Sequence, residues 1–175
     1  MLFRDPKDTM VSAYFQKTKR ASEDKNPSFK GTISEYIRSN IGGLETFLYF
    51  YKYWLDEKKN FDDFYLLNYN DFHKNQQKEF EKLLNFLGLG LDETKISQTI
   101  EFSSFDNMHK MEKNNVFKAV LLKPVDVNDI NSFKTRKGKV GGYVDYLTQE
   151  DIDFIDKKME QILGSFNLNR TTKKR

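Results

Sequence analysis

Two basic segments near opposite ends of the chain contain the residue types that bind phosphate. Arg4 stands beside an Asp-Pro helix start, and Ser12 follows eight positions later. A guanidinium and a hydroxyl near the positive end of a helix suit a phosphate. The second segment is Arg136-Lys137-Gly138, followed by Gly141-Gly142, whose cations and open backbone amides could form an anion nest. The alternatives are an Arg4 paired with a surface carboxylate and a basic loop that is merely solvated.

The composition excludes several other kinds of chemistry. The chain has no cysteine, so disulfides, thiolate catalysis and cysteine-ligated zinc are excluded. The two histidines, His73 and His109, have no metal-binding spacing with nearby carboxylates, and we expect no metal. With 29 basic and 26 acidic residues, the net charge is only +3. This balance does not require a nucleic-acid partner and suits one local basic pocket for a small anion.

The first basic segment should lie between a strand and a helix. Leu2-Phe3 is typical of the end of a buried strand, and Asp5 is a candidate N-cap, with Asp8 three residues later. Pro6 fits the first helical position, where its missing N–H costs nothing. The helix that follows has apolar residues at helical spacing, namely Met10, Val11, Tyr14 and Phe15.

A second strand is predicted from the nearly continuous apolar run over residues 64–69, which is typical of a strand buried in a parallel sheet. Ligands bind beyond the carboxyl ends of parallel strands, which makes Tyr69 a candidate binding residue. For this segment alone, a tyrosine that simply ends a core strand is the simpler interpretation.

Further helices are predicted from caps and periodicity. Thr32 with Glu35 and Thr148 with Asp151 resemble capping boxes, and the second begins a strongly amphipathic last helix. Other helices are expected over residues 44–55, 80–87 and 93–100.

Four segments, in chain order, resemble the donor-binding segments of cytosolic-type sulfotransferases that use 3′-phosphoadenosine-5′-phosphosulfate (PAPS). They are residues 4–12, 68–72, 103–108 and 136–142. No single segment is decisive, but all four have family-like separations and together span nearly the whole chain. The resemblance implies an α/β fold with a P-loop-NTPase-like, three-layer parallel sheet and flanking helices. Here that fold would be incomplete at the N-terminus and mostly helical.

The resemblance also implies which residues contact PAPS. The 3′-phosphate would be held by Arg4, Ser12, Arg136, Lys137 and Gly138, and the adenine by Tyr69, Ser103, Phe105 and Met108. Phe105 and Met108 would serve equally well as a core pair at i,i+3. Two departures are Ser103, where the family often has Thr, and Gly142-Tyr143, where it usually has an acid and Trp.

The implied function is transfer of a sulfuryl group from PAPS to a hydroxyl or amine acceptor. The family's 5′-phosphosulfate loop and its catalytic histidine precede the segment that resembles residues 4–12, so we expect no catalytic residue in this chain. Neither His73 nor His109 matches that base. We therefore expect the isolated chain to be inactive or nearly so. The alternative is an inactive 3′-phosphoadenosine-binding or interaction fragment.

Two rival classes are less well supported. A nucleotide kinase fragment would share the P-loop architecture, but the segments 103–108 and 136–138 are not kinase features. RNA binding through the basic tail is disfavoured because the aromatic residues mostly follow helical core spacing.

The expected organisation is one C-terminal part of a sulfotransferase domain over residues 1–166 and a basic, disordered tail over 167–175. No apolar run approaches the roughly 20 residues needed to span a bilayer. We expect a cytoplasmic protein with a small-molecule acceptor and neither a nucleic-acid nor a membrane partner. An uncovered sheet edge should favour self-association.

Overall fold

The computed structural model describes residues 1–20, 28–90, 92–119 and 122–164, and the backbone of 172–173. Its strands are β1 (Leu2–Phe3), β2 (Asp63–Phe64), β3 (Leu67–Asn68) and β4 (Thr172–Lys173). Its helices are α1 (Pro6–Thr18), α2 (Ile33–Ile37), α3 (Leu44–Glu57), α4 (Tyr69–Lys74), α5 (Gln76–Phe86), α6 (Glu93–Phe102), α7 (Phe105–Lys113) and α8 (Gln149–Leu163).

The parallel sheet of the described residues consists of β1 and β3, with Leu2 opposite Leu67 and Phe3 opposite Asn68. The prediction of one continuous parallel strand over residues 64–69 is wrong. Asp63–Phe64 instead pairs antiparallel with Thr172–Lys173. The parallel strand ends at Asn68 because the Asn68 side chain accepts a hydrogen bond from the Asn70 amide, which starts α4 at Tyr69.

Helix α1 follows β1 directly, as predicted. The Asp5 carboxylate accepts a hydrogen bond from the Lys7 amide at 2.8 Å and so caps the helix. Met10, Val11 and Phe15 are buried against the core. This arrangement fixes the start of α1 beside the end of the sheet.

The core is formed mainly by α1, α3 and α8. Both predicted capping boxes are confirmed, at Thr32 for α2 and at Thr148 for α8. Asp151 in the second box is almost fully buried, and it also accepts hydrogen bonds from Ser34 and Arg38, which joins α8 to α2. The central apolar residues of α3 and α8 are buried, namely Leu44, Leu48, Tyr51, Leu55, Ile155 and Leu163.

Two short helices, α4 and α7, were not predicted. Helix α7 begins at Phe105, inside the segment that resembles an adenine-binding element. Helices α5 and α6 agree with the predicted helices, and Gly88, with φ +70°, follows the end of α5.

The tail was predicted to be disordered, but the backbone of Thr172–Lys173 pairs with β2. Residues 167–171 and 174–175 of that tail lie outside the described residues. No helix in the described part of the chain is long and apolar enough to cross a membrane.

Candidate functional site

A polar cavity of about 180 Å³ lies beside the end of β1 and the start of α1. The starts of α4 and α7 and the basic loop over residues 134–142 complete its wall. Six basic side chains line the cavity, namely Arg4, Arg20, Lys134, Arg136, Lys137 and Lys139. Asp8 is the one acid among the described residues that line it, so the cavity suits an anion.

Arg4 is positioned by the junction of strand and helix. Its backbone N–H and C=O both lie 3.4 Å from the hydroxyl of Tyr51 on α3. Its guanidinium carbon lies 4.5 Å from the centre of the Tyr69 ring. The Arg4 Nε is buried and has no hydrogen-bond partner among the described residues. A buried donor of this kind is costly unless an acceptor is supplied.

Arg136 reaches the same cavity from the far end of the chain. Its guanidinium carbon lies 4.2 Å from the centre of the Phe15 ring and 4.7 Å from that of Tyr146. It also donates a hydrogen bond to the Tyr146 hydroxyl at 2.5 Å. Burial lowers the pKa of Arg136, Tyr146 partly opposes the shift, and the charge of Arg4 adds to the lowering. The two guanidinium groups therefore repel each other across this space.

The basic loop is held at its C-terminal end by Asp8. This carboxylate is buried, at 4% exposure, and accepts hydrogen bonds from the amides of Gly141 at 2.8 Å and Tyr143 at 3.1 Å. Both Asp8 oxygens are therefore directed to the loop, although Asp8 stands in the first turn of α1. Gly141 has φ +74°, a conformation that favours glycine.

A second buried carboxylate, Glu112 on α7, holds the N-terminal end of the loop. Glu112 accepts hydrogen bonds from the amides of Lys134 at 2.6 Å and Thr135 at 2.9 Å, and from the Thr135 hydroxyl at 2.6 Å. The loop has little conformational preference of its own, and these two carboxylates from different helices fix its two ends.

Gly138 lies at the middle of the loop, where Phe105 packs against it. A Cβ atom built on Gly138 would lie 2.2 Å from Phe105 Cδ2, and the residue has φ +56°. The Gly138 carbonyl is 2.8 Å from His73 Nε2. Both the backbone conformation and the contact with Phe105 require a glycine at this position.

Comparison with known proteins assigns the family. The sequence model of the sulfotransferase domain matches residues 1–167. The chain belongs to the sulfotransferase domain family. Sulfotransferase 2A1 of Mus musculus is 28% identical over 166 residues, which are 94% of this chain and 56% of that protein. Cytosolic sulfotransferase 15 of Arabidopsis thaliana is 26% identical, over 95% of this chain and 46% of that protein. The chain thus spans about half the length of these relatives.

Two solved structures show the same fold. Mouse sulfotransferase SULT7A1 complexed with PAP has a TM-score of 0.71 at 20% identity, covering 95% of this chain and 58% of that chain. Retinol dehydratase in complex with retinol and PAP has a TM-score of 0.70 at 21% identity, covering 97% of this chain and 48% of that chain. The predicted P-loop-like α/β fold is confirmed, as a partial domain that is mostly helical with a small parallel sheet.

Most of the residues that the sulfotransferase resemblance implied come together in this cavity. Those that line it are Arg4, Ser12, Tyr69, Phe105, Arg136, Lys137 and Gly138. Ser103 and Met108 are not among the lining residues. The Ser103 hydroxyl donates to the Thr99 carbonyl at 2.7 Å, so it satisfies the end of α6. Met108 lies further along α7 and is half-buried.

Several cavity residues of this sulfotransferase chain were not predicted. They are Asp8, Val11, Arg20, Lys134, Thr135 and Lys139. Arg20 follows the end of α1, so helical spacing could not place it. Lys134 and Thr135 directly precede the predicted loop, and extending that segment by two residues would have included them.

Neither histidine lines the cavity. His73 Nε2 contacts the Gly138 carbonyl, and His109 Nδ1 lies 3.0 Å from the Thr135 carbonyl and 2.9 Å from its hydroxyl. Both rings therefore contact the basic loop from outside the cavity. Within the described ranges, no group of three or more His, Asp or Glu side chains could hold a metal ion.

Proposed function

We propose that this chain carries the half of a sulfotransferase site that binds the 3′-phosphate and adenine of PAPS. The observation that carries the proposal is the placement of Arg4 and Arg136 on the wall of one cavity. These residues come from segments near opposite ends of the sequence, and only the fold brings them together.

The unused donor of Arg4 and its repulsion with Arg136 support a phosphate dianion as the ligand. Arg4 Nε is a buried donor without a described partner, and the charge of Arg4 lowers the pKa of Arg136. Lys137 is already paired with Asp145 at 2.7 Å. A phosphate would supply acceptors to the two guanidinium groups and remove their repulsion, and charge-assisted hydrogen bonds of this kind are short and strong.

Phe105 and Tyr69 would provide the adenine contacts. Both rings line the cavity. The Tyr69 ring already faces the Arg4 guanidinium. Stacking of a base on an aromatic ring contributes about 1–3 kcal/mol, which is enough to orient a nucleotide whose phosphate is held next to it. Ser103 and Met108 remain predicted adenine contacts.

The reaction that we propose is transfer of the sulfuryl group of PAPS to a hydroxyl or amine acceptor. The residues described above would hold the donor by its 3′-phosphate and base and so fix the direction in which the sulfuryl group points. A base would remove the acceptor proton while the acceptor attacks sulfur, and cations would stabilise the departing phosphate oxygen. The acceptor would be a small molecule.

Binding of 3′-phosphoadenosine-5′-phosphate, measured by calorimetry, tests the proposal. Arg4→Ala and Arg136→Ala should each weaken binding by about 1.5–3 kcal/mol, the range for hydrogen bonds to charged groups. Lys17→Ala is the matched control, because Lys17 lies on α1 but outside the cavity wall. Equal affinity in the wild type and both arginine variants would refute the shared phosphate pocket.

The alternative, a binding fragment without turnover, is favoured by one feature of the cavity wall. Asp8 is the acid there, and its two oxygens already accept backbone hydrogen bonds. A missing general base costs roughly 10²–10⁴ in rate. We therefore expect the chain alone to bind the nucleotide but to give little or no transfer from labelled PAPS to a panel of phenols, alcohols and amines. Rapid turnover would reject the alternative.

Self-association through the open edge of β1 also remains a prediction. Among the described residues, β1 pairs only with β3, and Leu2 is 55% exposed. Sedimentation velocity over a range of concentrations would test it, and a monomer throughout would count against it.

A further inference from the structure

Arg20 is a basic residue of the cavity wall that the family resemblance did not include. It lies just after the end of α1 and lines the cavity with Arg4 and Arg136. Its Nε is buried and has no hydrogen-bond partner among the described residues. Its terminal NH1 donates to Gln16 Oε1 at 3.2 Å, on the exposed side. The buried part of this guanidinium is therefore left with an unused donor at the cavity wall.

The charges around Arg20 are repulsive. Burial lowers the pKa of Arg20, and the charge of Arg136 lowers it further. Burial likewise lowers the pKa of Lys134, and Arg20 adds to that shift. Arg4 and Arg136 also repel each other. Four cations, Arg4, Arg20, Lys134 and Arg136, therefore interact unfavourably around one cavity. Such a cluster is unfavourable until an anion occupies it.

Glu112 offsets only part of the repulsion in this cluster. Its charge opposes the shifts at Arg20 and Lys134. However, both of its oxygens accept hydrogen bonds from the loop, at the Lys134 amide and at the amide and hydroxyl of Thr135. The carboxylate is therefore engaged in holding the loop, and Arg20 Nε has no acceptor within the part of the chain that the structure describes.

We propose that Arg20 is a third guanidinium of the phosphate pocket, which contacts the 3′-phosphate and makes the chain selective for nucleotides that carry it as a dianion. The inference rests on the proposed function, since it assigns a further residue to the same pocket. Its physical basis is the buried, unpaired Nε at the cavity wall beside two other arginine side chains. A phosphate dianion offers enough acceptor oxygens for several guanidinium donors.

The test compares Arg20→Gln with Lys17→Gln by calorimetry. Both substitutions remove one positive charge from the same helix region, but Lys17 lies outside the cavity wall. Arg20→Gln should weaken binding of 3′-phosphoadenosine-5′-phosphate by about 10- to 150-fold, the equivalent of one charge-assisted hydrogen bond. Lys17→Gln should change it by less than about twofold, as expected for a screened surface charge.

Adenosine 5′-phosphate, which lacks the 3′-phosphate, identifies the group that Arg20 contacts. Its binding should change by less than about twofold in Arg20→Gln, because the ligand lacks the partner of Arg20. Arg20→Lys should restore only part of the affinity for the bisphosphate, because lysine keeps the charge but loses the planar donor fork. Equal losses for both nucleotides would overturn the assignment to the 3′-phosphate.

Thermal unfolding separates a binding role from a structural one. In the absence of nucleotide, Arg20→Gln should not lower the Tm, since it removes a cation that Arg136 repels and whose buried Nε has no acceptor among the described residues. The increase in Tm caused by 3′-phosphoadenosine-5′-phosphate should become smaller. A lower Tm without nucleotide, together with unchanged affinity, would show that Arg20 is structural and overturn the inference.

The outcomes also distinguish this inference from the proposed function. If Arg4→Ala and Arg136→Ala weaken binding and Arg20→Gln does not, the pocket stands and the role of Arg20 is refuted. If the wild-type chain does not bind 3′-phosphoadenosine-5′-phosphate, both the proposed function and this inference fail.

Discussion

The contact between Gly138 and Phe105 provides a sharp test of the loop conformation. Gly138 has φ +56°, and an added Cβ would lie 2.2 Å from Phe105 Cδ2 and 2.7 Å from Cε2. Gly141, in the same loop, has φ +74°, and no atom of the described residues lies within 4 Å of an added Cβ. The two glycines therefore share a backbone conformation and differ in the space around them.

The difference in surrounding space determines how much each glycine-to-alanine substitution should lower the free energy of unfolding. A left-handed conformation costs a non-glycine residue roughly 1–2 kcal/mol. Overpacking adds about 1–3 kcal/mol. Gly138→Ala should therefore lower the free energy of unfolding by about 2–5 kcal/mol, and Gly141→Ala by about 1–2 kcal/mol.

Urea unfolding of a double-mutant cycle would isolate the clash. Phe105→Ala removes the ring, so in that background Gly138→Ala should cost only as much as Gly141→Ala. The coupling between the two sites would then be about 1–3 kcal/mol, the size of the overpacking cost. Equal effects of the two glycine substitutions in the wild-type background would refute the contact. Additive effects of Gly138→Ala and Phe105→Ala would refute it as well.

Two further predictions concern charged residues around the loop. Asp8→Asn should lower the free energy of unfolding by about 1.5–3 kcal/mol because Asn can accept only one of the two amide hydrogen bonds. Asp5→Asn is its control in the same urea titration, because Asp and Asn cap helices equally well, and similar losses would contradict the anchoring role of Asp8. At a pH near its lowered pKa, Lys134 should take up part of a proton when 3′-phosphoadenosine-5′-phosphate binds, because burial and Arg20 hold that pKa below the ordinary 10.5 and an anion would raise it. Affinity should then fall as pH rises through that lowered pKa, and calorimetry in buffers of different ionisation enthalpy should detect proton uptake that Lys134→Met abolishes; identical uptake in the variant would reject the prediction.

The local parts of the fold could be predicted from the sequence because their causes are local. The caps at Asp5, Thr32 and Thr148 each depend on residues within three positions of one another. The strand over residues 64–69 could not be predicted correctly, because two competing effects act within it. Apolar periodicity favours one long strand, but Asn68 caps α4, and antiparallel pairing with residues far along the chain occupies 63–64.

The sequence predicted those cavity cations that lie within a recognisable motif. It did not predict those that only the folded chain brings to the cavity. Arg4 and Arg136 stand in recognisable segments, and both line the cavity. Arg20 stands in no such segment and reaches the cavity because α1 ends at Thr18 and the chain turns. Its role depends on a turn after the helix, which side-chain periodicity does not encode.

The shape of the basic loop depends on contacts that no local pattern reveals. Residues 134–142 have little conformational preference of their own, and two buried carboxylates from separate helices hold the two ends. Asp8 lies on α1, which packs into the core with α3 and α8, so the stability of that core positions one end of the loop. The cluster of repelling cations can persist without a ligand because these anchors and the core offset its cost. Selection for anion binding would therefore act on Asp8 and Glu112 as well as on the arginines, since losing either anchor would release the loop that carries Arg136 and Lys137.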